Sequence, residues 1–107
     1  MQSDDVLLRL AVTIAGRAGG DPAASHTAAL LAKGPAKCAE KFGEEAIEAI
    51  VATAVGDRDG LVHEAADVLY HLQVMLQAAG VPWTEVIAAL AAREDRSGIA
   101  EKAARTS

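Results

Sequence analysis

Apolar residues recur at three- and four-residue spacing along most of the chain, and no run of four to eight residues alternates apolar with polar. That period belongs to helices rather than strands. Leu7, Leu10, Ala11 and Ile14 line one side of a helix predicted over 4–17, with Ser3 as its N-cap. Gly19-Gly20-Asp21-Pro22 ends it. Ser25 caps a short second helix over 27–32, and Gly34-Pro35 supplies a helix stop followed by a first-turn proline. A third helix is predicted over 35–55, ended by Gly56-Asp57. A fourth runs over 59–79, ended by Gly80, and a fifth, opened by Pro82, covers 83–94. The remainder, including Arg96-Ser97-Gly98 and the run 101–105, is charged and expected to be only partly ordered.

Two helices carry more apolar surface than one neighbour can cover. On the third, Ile47, Ile50, Val51 and Ala54 share an arc. On the fourth, Leu61, Ala65, Val68, Leu69, Leu72 and Leu76 form a stripe that Val74, Met75 and Ala78 widen. A helix apolar on several sides needs several neighbours. The pattern predicts an all-α bundle of about five helices, one domain over 1–107, completed by self-association as a homodimer or larger assembly.

Composition agrees. Half of the residues are hydrophobic, but Phe42, Tyr70 and Trp83 are the only aromatics, and much of the apolar share is alanine, the strongest helix former. A net charge of −5 argues against a nucleic-acid binder that works through a basic surface. No apolar run reaches the length of a membrane span. The start, Met1-Gln2-Ser3-Asp4-Asp5, is acidic where a secretory signal is basic, and Cys38 has no second cysteine to pair with. These features predict a cytoplasmic protein that engages neither nucleic acid nor membrane.

Charge patterning points to chemistry. Glu44, Glu45 and Glu48 lie within an arc of about 100° on the third helix, and Lys37 and Lys41 lead into it. Glu64 and Asp67 sit one turn apart on the fourth. If the two helices run antiparallel, these carboxylates converge, and their repulsion is relieved by a cation. An all-oxygen donor set suits a hard cation such as Mg2+, with Mn2+ as a substitute, and such ions serve phosphate chemistry. A solvated face with salt bridges to Lys37 and Lys41 would explain one such cluster. Two clusters on consecutive helices, with Asp67 among Ala65, Ala66, Val68 and Leu69, favour the metal site. His71, one turn past Asp67, is expected to stand behind it, orienting its carboxylate or meeting phosphate. Tyr70 and Trp83 are expected to pack, and Cys38 to be buried as a small apolar residue.

Glu-Glu-x-x-Glu followed by Glu-x-x-Asp resembles the signature of the all-α nucleoside triphosphate pyrophosphohydrolases. More of the chain is similar to one branch. Ser25-His26-Thr27, Leu30-Leu31-Ala32-Lys33-Gly34, Lys37-Cys38-Ala39-Glu40-Lys41-Phe42-Gly43-Glu44-Glu45, Asp57-Arg58, and Glu64 through Leu72 all resemble the phosphoribosyl-ATP pyrophosphatase family, as does the C-terminal segment. Members often carry Tyr where this chain has His26.

The resemblance implies hydrolysis of phosphoribosyl-ATP to phosphoribosyl-AMP and pyrophosphate, the second step of histidine biosynthesis, with Mg2+ required. It implies Glu45, Glu48, Glu64 and Asp67 as metal ligands. Glu44 or Glu48 is the candidate general base, Glu44 preferred because it lies outside that set, and Lys33, Lys37 and Lys41 are the candidate phosphate contacts. Two other readings are a general pyrophosphohydrolase acting on dCTP, dUTP or damaged nucleotides, and a non-catalytic helical dimerisation module.

Overall fold

The computed structural model describes residues 4–94. Ser3 and the charged C-terminal segment, for which a cap and partial order were expected, lie outside them. The described residues form five helices and no strand: α1 (Asp4–Arg17), α2 (His26–Ala32), α3 (Pro35–Ala54), α4 (Arg58–Ala78) and α5 (Trp83–Glu94). Each boundary lies within one residue of its sequence expectation, because glycine, proline and capping residues punctuate the chain. Ser25 Oγ accepts from the Ala28 amide at 3.1 Å, and Pro35 opens α3.

The α3–α4 connection sets the geometry of the molecule. Gly56 takes φ 76°, a left-handed conformation that favours glycine. This lets the Asp57 amide donate back to the Ala52 carbonyl at 2.9 Å and close the end of α3. The Asp57 carboxylate then accepts from the Gly60 amide at 2.9 Å and caps α4. A turn this short folds two long helices antiparallel. Gly80 repeats the device after α4, again at φ 76°, with the Val81 amide donating to the Leu76 carbonyl at 2.9 Å. There the chain bends, and α5 leaves α4 at 116°. Among the described residues no single helix is long and apolar enough to cross a membrane; only the bent α4–α5 pair passes by length and composition.

The core is small and drawn from four helices. Ile14 (α1), Leu30 (α2), Cys38 (α3) and Val74 (α4) are almost fully enclosed, with Leu10, Leu31, Tyr70, Met75 and Ala78 packed around them. Cys38 is buried as expected, and its thiol donates to the Leu30 carbonyl at 3.2 Å. Truncating Leu30 to Ala should cost about 2–5 kcal/mol of stability, read from the midpoint of a urea titration, because the site leaves a cavity rather than opening to water.

The apolar arcs read from the sequence do not all face this core. On α3 it is Cys38 and Ala52 that are buried, while Ile47, Ile50 and Val51 lie open, Ile50 at 65%. On α4 the buried residues are His71, Gln73 and Val74, and Ala65 and Leu69 of the expected stripe are exposed. Periodicity identifies an apolar side but not what covers it, and among the described residues nothing covers these.

Candidate metal and phosphate site

The hairpin turn fixes the register in which the acidic residues meet. Glu45 and Glu48 are one turn apart on α3, and Glu64 lies in the second turn of α4. Each contributes a carboxylate oxygen to a group whose atoms all lie within 4.8 Å of one another. Glu45 and Glu64 are half-buried, and Glu48 is exposed.

The electrostatics record the crowding. Hydrogen bonding to Glu48 pushes the Glu45 carboxyl up from its ordinary 4.5 to about 7. Desolvation and the negative charges of Glu48, Asp67 and Glu64 add to the effect. Glu64 is also raised, first by desolvation, then by hydrogen bonding to Glu48 and by the charges of Glu48 and Asp67, with His63 opposing. Its Oε2 is buried and has no hydrogen-bond partner. A buried carboxylate oxygen without a donor, beside two more carboxylates, fits a hard divalent cation better than it fits a solvated surface.

This predicts a pH effect on the metal-free protein. Glu45 titrates higher when folded than when unfolded, so the folded state binds its proton more tightly. Its contribution to stability is complete below 4.5 and is lost as the pH rises to about 7. In chelator-treated protein the melting temperature should fall across that window, and Glu45→Gln should flatten the fall. An unchanged slope in the variant would contradict this assignment.

The other candidates lie around this trio. Asp67 is exposed on the next turn of α4, not embedded among apolar side chains as its neighbours suggested, and its charge acts on Glu45, Glu64 and His71. Glu44 is exposed and pairs with Lys41, whose Nζ donates to its Oε1 at 3.3 Å. Lys37 pairs with Glu40 at 3.2 Å. Both pairs are solvent-exposed and worth at most about 1 kcal/mol, so either ammonium leaves its carboxylate at little cost. Lys33 is exposed at the C-terminus of α2 and forms no ion pair among the described residues.

His71 is 8% exposed. Desolvation lowers its pKa, with Asp67 opposing, and its Nδ1 is buried without a partner. Its ring meets Tyr70 edge-on, centroids 5.0 Å apart.

Two features escaped the sequence reading. The Tyr70 hydroxyl hydrogen-bonds the Thr27 hydroxyl, tying α2 to α4 beside His71. Gln73, a lone polar residue in an apolar run, is buried and donates through Nε2 to the Leu7 carbonyl at 3.0 Å. Its isolation among Leu72, Val74, Met75 and Leu76 was the available signal. The Thr27–Tyr70 pair had none, because it joins residues remote in sequence.

Comparison with known proteins adds a second line. Residues 7–94 match the sequence model of the phosphoribosyl-ATP pyrophosphohydrolases. A phosphoribosyl-ATP pyrophosphatase from Cereibacter sphaeroides (strain KD131 / KCTC 12085) is 65% identical over 100 residues, covering 94% of this chain and 97% of the relative. Proteins of the same name from Dinoroseobacter shibae and Rhodobacter capsulatus are each 64% identical, covering 94% and 92% of this chain and 98% and 96% of theirs.

Proposed function

The chain belongs to the phosphoribosyl-ATP pyrophosphohydrolase family, and from that premise we propose how its α3–α4 hairpin carries out the reaction. The protein is a hydrolase acting on a phosphoanhydride. It converts phosphoribosyl-ATP and water to phosphoribosyl-AMP and pyrophosphate, the histidine-biosynthesis step for which its relatives are named.

The gathering of Glu45, Glu48 and Glu64 oxygens within 4.8 Å carries the site assignment. These three residues, with Asp67 beside them, would hold Mg2+, or Mn2+ in its place. A cation bound there supplies charge neutralisation on the phosphate oxygens. Lys37 and Lys41 leave their surface carboxylates for the polyphosphate, and Lys33 extends the basic approach from α2. Glu44, released from Lys41, accepts the proton of the attacking water as its oxygen bonds to the α-phosphorus. The α–β bridging oxygen leaves with pyrophosphate. His71, buried one turn past Asp67 and acting on it through charge, is the residue that would stand behind that carboxylate and orient it.

Pyrophosphate release from phosphoribosyl-ATP, measured beside dCTP and dUTP, tests the substrate. A site built on hydrogen bonds to this substrate should prefer it by a factor of at least about 100. Equal rates on all three would favour a general nucleotide pyrophosphohydrolase.

The chain also self-associates in this reading. Ile47, Ile50 and Val51 of α3, Val55 just past its end, and Val62 and Leu69 of α4 form an exposed apolar face on the hairpin that carries the carboxylates, and Val55 is 72% exposed. Soluble monomers rarely leave such a surface bare. A second copy covering it makes a homodimer or larger assembly. With an unpaired, buried Cys38 thiol and no membrane-length helix among the described residues, the cytoplasm is the proposed compartment.

A further inference from the structure

The hydrogen bond between the Thr27 and Tyr70 hydroxyls has no part in the reaction as described, and neither does the contact of Tyr70 with His71. The bond is partly buried and joins the first turn of α2 to the middle of α4. Tyr70 also packs against the core cluster of Ile14, Leu30, Cys38 and Val74. Its ring is therefore held along its body by apolar neighbours and at its tip by Thr27.

His71 has no comparable tether. It is 8% exposed, and its Nδ1 is buried without a hydrogen-bond partner. A functional imidazole is ordinarily fixed by a hydrogen bond to one ring nitrogen, which sets both tautomer and tilt. Among the described residues nothing of that kind holds Nδ1. What meets the ring instead is Tyr70, edge-on, with centroids 5.0 Å apart and planes at 77°. Consecutive helical side chains diverge by about 100°, so the helix alone does not impose this contact. It needs Tyr70 held in one placement, and Thr27 holds it there.

The location of His71 makes its tilt consequential. Asp67, one turn back on α4, favours its charged form, as does Glu44 of α3, while His26 of α2 and Lys41 of α3 oppose them. The ring stands where three helices meet, beside the carboxylate cluster.

We infer that Thr27 and Tyr70 are positioning residues for the proposed cation site: their hydroxyl bond fixes the Tyr70 ring, that ring fixes the tilt of His71, and His71 orients Asp67. The inference rests on the metal reading above and extends it to α2, two side chains away from any carboxylate ligand.

Four variants test it. Thr27→Val and Tyr70→Phe each remove one hydroxyl and keep the shape, the double variant removes both, and Thr27→Ser keeps the hydroxyl. The ring carbon–proton NMR signals of His71 are recorded in metal-free protein and told apart from those of His26 and His63 by their loss in His71→Gln. Calorimetric titration gives the Kd for Mg2+. Thr27→Val and Tyr70→Phe should each move the His71 signals and weaken Mg2+ binding about 3- to 10-fold, less than the 10–100-fold typical when an orienting group is itself removed. The double variant should do no more than either single one, because the same bond is lost in all three. Thr27→Ser should match wild type. Tyr70→Phe keeps the ring that packs on the core, so it carries the test if Thr27→Val folds poorly. A merely structural tie between α2 and α4 gives lower melting temperatures with the His71 signals and the Mg2+ Kd unchanged; that result, or additive effects in the double variant, overturns the inference. Wild-type protein that takes up no Mg2+ rejects the cation site and this inference with it, whereas equal Mg2+ affinity in wild type and Thr27→Val rejects the relay alone.

Discussion

Replacing Glu45 by Ala is expected to lower pyrophosphate release by about three orders of magnitude, since a cation that stabilises phosphoryl-transfer charge contributes several kcal/mol and each 1.36 kcal/mol is tenfold. The same substitution should make the metal-free protein more stable near neutral pH. Glu45 meets Glu48 and Glu64 at close quarters, and its carboxyl is raised to about 7 by that company. Removing it relieves repulsion that the wild type relieves only by taking up a proton or a cation. Thermal melts with and without Mg2+ separate the two effects. Wild type should gain about 2.7 kcal/mol when Mg2+ stands at a hundredfold excess over its Kd, and the variant should gain little. A folded Glu45→Ala protein with near-normal activity at low Mg2+ would reject the site. So would a variant that loses stability in chelator, because it would make Glu45 a structural partner rather than one of three crowded ligands.

Glu44→Gln should separate base from ligand. Glu44 is exposed and paired with Lys41, outside the three-oxygen group. The amide keeps its size and a hydrogen bond but takes no proton. A general base contributes about 10²–10⁴ in rate, so kcat should fall within that range while the Mg2+-induced rise in melting temperature stays at its wild-type value. Loss of the Mg2+ effect would move Glu44 into the ligand set. A wild-type kcat would pass the role of base to Glu48, which faces the same cluster and is exposed to solvent.

Much of this architecture was legible along the chain because its signals are local. Ser25, Gly34-Pro35, Gly56-Asp57 and Gly80 mark helix ends through capping and backbone conformation, and those depend on the residue itself. One-turn spacing places Glu45 beside Glu48, and the short Gly56-Asp57 turn then brings Glu64 to them. Burial was less legible because it depends on neighbours. Ile47, Ile50 and Val51 carry the period of a core-facing arc yet lie exposed among the described residues, while Cys38, on the lysine-bearing side of α3, is enclosed. Asp67 looked embedded because its sequence neighbours are apolar, but Ala65, Ala66 and Leu69 are exposed with it. The Thr27–Tyr70 bond joins side chains 43 positions apart, where periodicity carries no information.

The three converging carboxylates come from a single helical hairpin closed by one glycine and one aspartate, so the proposed cation site is local in the polypeptide. It assembles with the first long-helix pairing and does not wait for distant segments to dock. The same economy concentrates vulnerability in a place with no chemistry of its own. One residue inserted at Gly56 would turn α4 by about 100° relative to α3, carrying Glu64 away from Glu45 and Glu48 and silencing the enzyme without touching a reactive side chain.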